Sequence, residues 1–108
     1  MTLVKHTYQI TSAFPMEEKF GLSSQMNRSA VSIPSNIAEG SSRTSNKDFN
    51  RFLEIAIGSS FELETQLLLA KELGFVSNQK FVKTITQLNE LQKMIVGFKK
   101  SISLKSVI

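Results

Sequence analysis

The sequence has no cysteine, one histidine, two prolines and no long apolar run. Without cysteine the chain can form neither disulfides nor thiolate metal sites, and the single His6 excludes a histidine-rich metal centre. No segment approaches the roughly 20 apolar residues that a bilayer span requires, and the N-terminus lacks the apolar core of a secretory signal. We therefore expect a cytoplasmic protein that binds no metal or other cofactor and does not enter a membrane.

The composition is typical of one small globular domain. The chain has 108 residues, of which 41% are hydrophobic, and it has only five glycines. This is enough for one modest core and not for two, so we expect a single domain over residues 1–108. The net charge is +4, and the excess of lysine lies after Phe75. Such a distribution is more often a solvated helix face, but it permits binding to a polyanion.

Apolar residues recur at helical spacing in four stretches that are separated by turn or capping signals. Phe14-Pro15 ends the first stretch, Ser45 and Ser77 are N-cap candidates, and Gly74-Phe75 is a typical helix stop. Short connections make consecutive helices antiparallel neighbours. The sequence therefore predicts an all-α fold, an antiparallel up-and-down four-helix bundle. The four stretches are Leu3–Ala13, Leu22–Gly40, Ser45–Leu73 and Ser77–Ile102.

The second stretch is unusual because Pro34 lies inside it. A proline in a helix interior removes one hydrogen bond, here to the carbonyl of Ala30, at a cost of about 3 kcal/mol. The apolar stripe continues across the proline, so we predict one helix with a proline in its interior. A polar stripe runs beside the apolar one at the same spacing. It consists of Gln25, Arg28, Ser32, Asn36 and Glu39.

Antiparallel pairing of the second and third helices brings this polar stripe opposite charged residues of the third helix. Arg28 comes near Glu62, and Asn36 and Glu39 come near Arg51. We predict a structural network, buried or at a subunit interface, whose members satisfy one another and the carbonyl freed by the proline. The network consists of Gln25, Arg28, Asn36, Glu39, Arg51 and Glu62.

Gly58 lies in the middle of the third predicted helix and is followed by two serines. A glycine in a helix interior costs about 1 kcal/mol relative to alanine. That cost is understandable if another backbone approaches the glycine closely. We therefore expect a close helix contact at Gly58.

The inventory of possible catalytic groups argues against an enzyme. Carboxylates and serines are present near the polar stripe, and these residue types can act as acids, bases or nucleophiles. However, no histidine is available as a base beside them, and the Glu-x-x-His pairing of carboxylate metal bundles is absent. We therefore expect no catalytic residue. The residues considered are Ser32, Ser35, Glu39, Asp48, Glu62 and Glu64.

Nucleic-acid binding requires basic side chains on one face. One subunit offers too few for tight binding, but an oligomer multiplies them, and each neutralised phosphate adds a salt-dependent increment. Self-association is predicted from the third helix, whose apolar stripe is wider than one neighbouring helix would cover. The candidate nucleic-acid-binding residues are Arg43, Lys47, Lys80, Lys83, Lys93, Lys99 and Lys100.

The second and third predicted helices carry a resemblance to a known family. They closely resemble proteins encoded in intervening sequences of bacterial large-subunit ribosomal RNA genes. The matching residues are 23–40, with the run SIPSNIAEG at Ser32–Gly40, and then Phe49–Leu53, Ala56, Gly58-Ser59, Glu62–Glu64, Gln66–Ala70, Leu73 and Gly74. The match runs from about Leu3 into the last helix. It implies a four-helix bundle that forms homo-oligomers, with a pentameric ring as the expected arrangement. Similar accessory proteins of diversity-generating retroelements imply three possible partners: RNA, DNA, and a reverse transcriptase or other nucleoprotein component.

Two departures from the family pattern bear on function. Family members usually begin with a longer first helix. They also commonly carry arginines near Asn27, Ser29 and Ile57, and this chain lacks those arginines, so it is less basic at those places. We expect a non-enzymatic homo-oligomeric bundle with weak, sequence-independent nucleic-acid binding, RNA above all, or a role as a nucleoprotein scaffold. The alternative is a protein-interaction module without nucleic-acid affinity.

Overall fold

Four α-helices make up the chain in a computed structural model, which describes residues 2–107 and the side chains of residues 2–104. A short 3-10 turn, Met16–Glu18, lies between the first two helices, and the described residues contain no strand. None of the described helices combines the length and the apolar character of a membrane span. The helices are α1 (Thr2–Thr11), α2 (Leu22–Ser41), α3 (Asn46–Glu72) and α4 (Asn78–Val107).

The helices pack in chain order around one core. α1 contacts α2 and α4, and α3 also contacts α2 and α4, whereas the described parts of the diagonal pairs make no close backbone contact. This arrangement confirms the predicted up-and-down bundle. Within the described residues, α1 has 10 residues and α4 has 30.

The N-termini of α3 and α4 are capped by the serines that the sequence indicated. The Ser45 hydroxyl accepts a hydrogen bond from the Asp48 amide at 3.1 Å, and the Ser77 hydroxyl accepts one from the Lys80 amide at 3.2 Å. Each cap satisfies a first-turn amide that has no partner within its helix. These two residues therefore fix where α3 and α4 begin.

The C-terminus of α3 ends in a Schellman motif. Gly74 has a φ of 77°, a left-handed conformation that glycine adopts without steric cost. The Phe75 amide then donates to the Ala70 carbonyl at 2.9 Å, and the Gly74 amide donates to the Lys71 carbonyl at 3.0 Å. These are the two hydrogen bonds that define the motif, and they stop the helix at the predicted glycine.

The core draws buried apolar side chains from all four helices. Pro34 lies inside α2, and the apolar residues before and after it keep their helical spacing, so the proline does not divide the helix. The buried Thr7 hydroxyl is satisfied within its own helix, because it donates to the Leu3 carbonyl at 2.8 Å. The completely buried apolar side chains are Met26, Ala30, Leu53, Ala56, Leu63, Leu67, Ala70 and Leu88.

The expected close contact at Gly58 is wrong, and the close contact lies at Gly40 instead. A methyl group added to Gly58 would meet nothing within 4 Å, because this residue lies on the exposed side of α3. A methyl group added to Gly40 would lie 2.8 Å from both Phe49 Cδ1 and Phe52 Cβ. The short turn at residues 42–45 draws the end of α2 against the start of α3, so α2 needs a residue without a side chain there.

Candidate functional site

A polar groove runs along the seam between α2 and α3. At its centre the hydroxyls of Ser32 and Ser59 lie 2.7 Å apart and share a hydrogen bond. Asn36 supports this pair, because its Nδ2 donates to the Ser32 hydroxyl at 2.9 Å and to the Ser32 carbonyl at 2.8 Å. The groove has a volume of about 360 Å³ and is lined by Gln25, Arg28, Ser29, Ser32, Ser59, Glu62 and Gln66.

Four members of the predicted polar network lie at this groove. Gln25, Arg28 and Glu62 line it, and Asn36 holds Ser32 in place. The first three side chains are exposed and Asn36 is half-buried. Within one subunit these residues therefore form an open polar surface, and their burial between subunits stays a prediction.

The other two members of the network lie nearer the turn between α2 and α3. Glu39 forms an ion pair with Arg43, one helical turn further along the chain. The Arg51 guanidinium lies 4.6 Å from the centroid of the Phe52 ring. The ion pair that the structure shows for Glu39 is thus with Arg43, not with Arg51.

Two arginines stack on one phenylalanine at this end of the bundle. The Arg43 guanidinium lies 4.8 Å from the Phe52 ring centroid, and the Arg51 guanidinium lies 4.6 Å from the same centroid. A guanidinium that stacks on an aromatic ring keeps its N–H edges available for an anion. Arg43, Phe52 and Arg51 are called the arginine stack below. Lys47, one turn before Arg51 on α3, is exposed.

The last part of α4 brings further lysines to the same end. Asn50 of α3 donates from Nδ2 to the Ser103 hydroxyl of α4 at 3.1 Å, which fixes the register of the two helices. Lys99 Nζ lies 3.3 Å from Glu54 Oε1, and Lys100 is exposed. The basic end, as defined here, consists of Arg43, Lys47, Arg51, Lys99 and Lys100.

The remaining predicted nucleic-acid-binding residues lie away from the basic end. Lys80 and Lys83 lie at the other end of the bundle, where they line a cavity of about 320 Å³ with His6. Lys93 is exposed between the two ends of α4. His6 itself packs between helices, because its Nδ1 lies 2.7 Å from Gln87 Oε1 of α4. The seven predicted basic residues therefore do not form one continuous patch on a subunit.

Large apolar residues lie exposed on the outer side of α3 over several turns, with Glu54, Glu62 and Thr65 exposed between them. Five large apolar residues on this helix are between 42% and 52% exposed. Single apolar residues with this exposure are common on protein surfaces, but several of them on one helix are uncommon. Leu68, Leu69 and Leu73 belong to the wide stripe that the sequence indicated, whereas Ile55 and Phe61 lie outside that prediction. The residues of this α3 outer face are Ile55, Phe61, Leu68, Leu69 and Leu73.

Sequence reasoning missed two features of the surface. It assigned Arg51 to the polar network, whereas Arg51 stacks on Phe52 as part of the arginine stack. It also passed over Phe20, which is 89% exposed in the connection between α1 and α2. A large apolar residue next to Gly21 and outside any helical stripe is the signal that could have drawn attention to Phe20.

The fold and surface define a small all-helical bundle protein with a polar seam and a basic end. The chain belongs to the 23S rRNA-intervening sequence protein family, whose model matches residues 1–97. It is similar to the crystal structure of a protein of unknown function from the S23 ribosomal protein family of Bacteroides thetaiotaomicron. The two chains are 25% identical, with a TM-score of 0.79 over 90% of this chain and 88% of that chain. No curated protein matches this chain. The predicted family resemblance is confirmed.

Proposed function

We propose that the protein is a non-enzymatic, self-associating cytoplasmic bundle that binds nucleic acid, RNA above all, weakly and without reading its sequence. The observation that carries this proposal is the arginine stack. Two guanidiniums held on one ring can donate charge-assisted hydrogen bonds to phosphate oxygens, and contacts of this kind position a nucleic acid without distinguishing its bases.

The charge balance at the basic end indicates weak binding by one subunit. Arg43 pairs with Glu39 and Lys99 pairs with Glu54, so a phosphate must compete with a carboxylate at both residues. Asp48 adds a further negative charge near Lys47. A ring of subunits would repeat the basic end along a bound strand, and this multivalency would raise the overall affinity. The proposal therefore joins nucleic-acid binding to self-association.

Binding that depends on phosphate contacts must weaken with salt. We expect fluorescence anisotropy to detect RNA and duplex DNA at about 50 mM salt and to show a large loss of affinity at about 200 mM. Replacing both stack arginines, Arg43→Gln with Arg51→Gln, should reduce the slope of log affinity against log salt by about 2 per bound subunit, because each phosphate contact contributes about 1.

A matched control separates this effect from net charge. Lys5→Gln with Lys71→Gln removes two positive charges outside the basic end and should leave the salt slope close to that of the wild type. Equal losses in the two double variants would show that overall charge, not the arginine stack, governs binding. No detectable binding at low salt would overturn the proposal and favour the alternative, a protein-interaction module.

Self-association is proposed from the α3 outer face. Exposed apolar rows of this kind mark protein interaction surfaces, and the family resemblance suggests a homo-oligomer, with a pentameric ring as the arrangement. At micromolar concentration, light scattering should give a mass several times the subunit mass of 12.1 kDa. Leu69→Ser with Leu73→Ser should lower that mass while far-UV circular dichroism stays helical.

The control for self-association is Val82→Ser on α4, a residue that is 50% exposed. This variant should keep the wild-type mass, because it changes an exposed apolar side chain away from the α3 outer face. A wild-type protein with a monomeric mass would contradict self-association. A lower oligomer mass for Val82→Ser, together with an unchanged mass for Leu69→Ser with Leu73→Ser, would place the contact on α4.

The alternative function is docking of a partner protein by the oligomer without affinity for nucleic acid. The specific observation in its favour is that Arg43 and Lys99 of the basic end are already paired with carboxylates, whereas the five large apolar residues of the α3 outer face are between 42% and 52% exposed. A reverse transcriptase or another nucleoprotein component is the partner class that the family resemblance suggests. Binding of such a partner with unchanged affinity in the Arg43→Gln, Arg51→Gln variant would support this alternative.

A further inference from the structure

Two exposed aromatic side chains lie beside the connection between α1 and α2. Phe20 is 89% exposed, and Tyr8, in the last turn of α1, is 47% exposed. Lys19 Nζ lies 5.6 Å from the centroid of the Phe20 ring, and a single cation covers at most one face of a ring. An aromatic ring stabilises a fold only when it is buried. Phe20 therefore has no structural role in a lone subunit, and one face of its ring is open to a ligand.

The two rings line a broad pocket together with polar side chains of α2. Its volume is about 730 Å³, which lies within the roughly 300–1,000 Å³ that is typical of ligand pockets. The residue of α1 that lines it, Tyr8, lies near the end of that helix, and the described first turn of α1 does not line it. This aromatic pocket, as it is called below, has in its lining Tyr8, Lys19, Phe20, Asn27, Arg28 and Asn36.

The charges of the aromatic pocket favour an anion. Lys19 and Arg28 line it, and no described carboxylate does. Glu17 and Glu18 precede Lys19 in the chain but lie outside the lining. Arg28 shares the neighbouring polar groove with Glu62, yet Arg28 forms no ion pair with any residue that the structure describes. A phosphate in this pocket therefore does not have to displace a carboxylate, as it must at two residues of the basic end.

Two asparagine side chains in the aromatic pocket keep part of their hydrogen-bonding capacity free. The Thr11 hydroxyl donates to Asn27 Oδ1 at 2.8 Å, and Asn36 Nδ2 donates to Ser32, so both side chains are held in place. Among the described residues, neither Asn27 Nδ2 nor Asn36 Oδ1 has a partner. The pocket therefore offers one amide donor and one amide carbonyl, and groups of these kinds form hydrogen bonds with the edges of unpaired bases.

We infer that the aromatic pocket binds an unpaired nucleotide of a single-stranded nucleic acid. The base stacks on the open face of Phe20, and the phosphate lies beside Lys19 and Arg28. This inference rests on the proposed nucleic-acid binding and names the class of nucleic acid. A base inside a duplex is covered by its neighbours on both faces, so a single strand is needed to offer a face to the ring. Stacking accepts every base, which agrees with binding that does not read sequence.

The polar stripe of α2 runs from the aromatic pocket towards the arginine stack. Measured along α2, Arg28 and Arg43 lie roughly 20 Å apart at a rise of about 1.5 Å per residue. At about 3.4 Å per nucleotide, a strand of roughly six nucleotides covers this distance. One short strand can therefore place a base in the aromatic pocket and phosphates beside both arginines.

The absence of native tryptophan allows this contact to be followed by fluorescence. Phe20→Trp keeps an aromatic ring in the pocket, and a base that stacks on this ring should quench its emission. We expect a single strand of about ten nucleotides to quench this variant, and an abasic strand of the same length and charge to leave its emission unchanged. Phe61→Trp is the matched control, because Phe61 is 52% exposed on α3 outside the pocket. It should keep its emission with both strands.

The affinity for the same strands provides a second measurement. Phe20→Leu should weaken binding of the base-containing strand roughly 5- to 150-fold, because one stack between a base and an aromatic ring contributes about 1–3 kcal/mol. Binding of the abasic strand and of duplex DNA should not change. The salt slope should not change either, because this variant removes no charge. Phe61→Leu should leave all three affinities at the wild-type values.

The outcomes separate this inference from the proposed function. No binding of any strand by the wild type at about 50 mM salt would overturn both. Equal affinity of the wild type for the base-containing and abasic strands, or unquenched emission of Phe20→Trp, would overturn the inference and leave phosphate binding at the basic end. A lower oligomer mass of Phe20→Leu in light scattering would show that the ring contacts a second copy, and it would also overturn the inference.

Discussion

The Leu63→Ala variant should lose about 2–5 kcal/mol of the free energy of unfolding. Leu63 is completely buried on α3, the helix that contacts both α2 and α4. Truncation removes its apolar contacts and leaves a cavity that three rigid helices cannot collapse to fill. In a domain of this size each kcal/mol shifts the melting temperature by about 4–8 °C. Thermal and urea unfolding followed by circular dichroism should therefore show a large shift or complete unfolding.

The control for this variant is the same substitution at an exposed leucine. Leu104 of α4 is 65% exposed, so Leu104→Ala should change the free energy of unfolding by no more than about 0.5 kcal/mol. Both variants should be measured at one protein concentration, because self-association would add a concentration-dependent contribution. Equal stability of the two variants would contradict the placement of Leu63 in the core.

Gly40→Ala should destabilise the protein by about 1–3 kcal/mol, although alanine is the better helix former. The added methyl group would lie 2.8 Å from Phe52 Cβ. Because a Cβ atom is fixed to the backbone, a rotamer change cannot relieve this contact, and the start of α3 must move. Movement there would also disturb the arginine stack on Phe52. The measurement is chemical unfolding of the variant and the wild type.

Gly58→Ala is the matched control and should have the opposite sign. The added methyl group meets nothing within 4 Å, so only the helix preference of alanine acts, and it should stabilise the protein by about 0.5–1 kcal/mol. The two variants thus distinguish a glycine at which any side chain would clash with a neighbouring helix from a glycine at which a side chain fits. Destabilisation of both variants by the same amount would contradict the packing described for the turn.

The helices and their order were predictable from the sequence because their determinants are local. Apolar spacing of 3.6 residues identifies a helix wherever a core covers one side, and Ser45, Ser77 and Gly74 act through hydrogen bonds within a few residues. Short connections then leave little choice of topology. Even Pro34 could be placed inside α2, because the apolar stripe on both sides of it outweighed the local preference.

The contacts between helices were less predictable because they depend on register and on competing partners. Sequence alone shows that Gly58 costs helix stability, but it does not show whether a neighbouring helix lies against it. Glu39 had a candidate partner across the seam in Arg51, yet Arg43 lies one turn away and pairs with it. A partner that is near in the chain needs less ordering of side chains than one on another helix.

The groove residues show the same division between local and non-local information. The polar stripe of α2 predicted that Gln25, Arg28 and Glu62 would come together, and the antiparallel register does bring them to one groove. Whether that groove is covered depends on a second molecule, and periodicity within one chain contains no information about it. The exposure of Phe20 is of the same kind.

The order of contacts in the bundle has a consequence for its synthesis. Successive helices pack on each other, and α1 with α4 is the exception, where His6 meets Gln87 from the far part of the chain. A chain released from the ribosome N-terminus first can therefore pair α2 with α3 early, since only a short turn must close. One flank of α1 stays uncovered until α4 emerges. Closure of the bundle thus waits for α4, and it depends on residues beyond the first three helices.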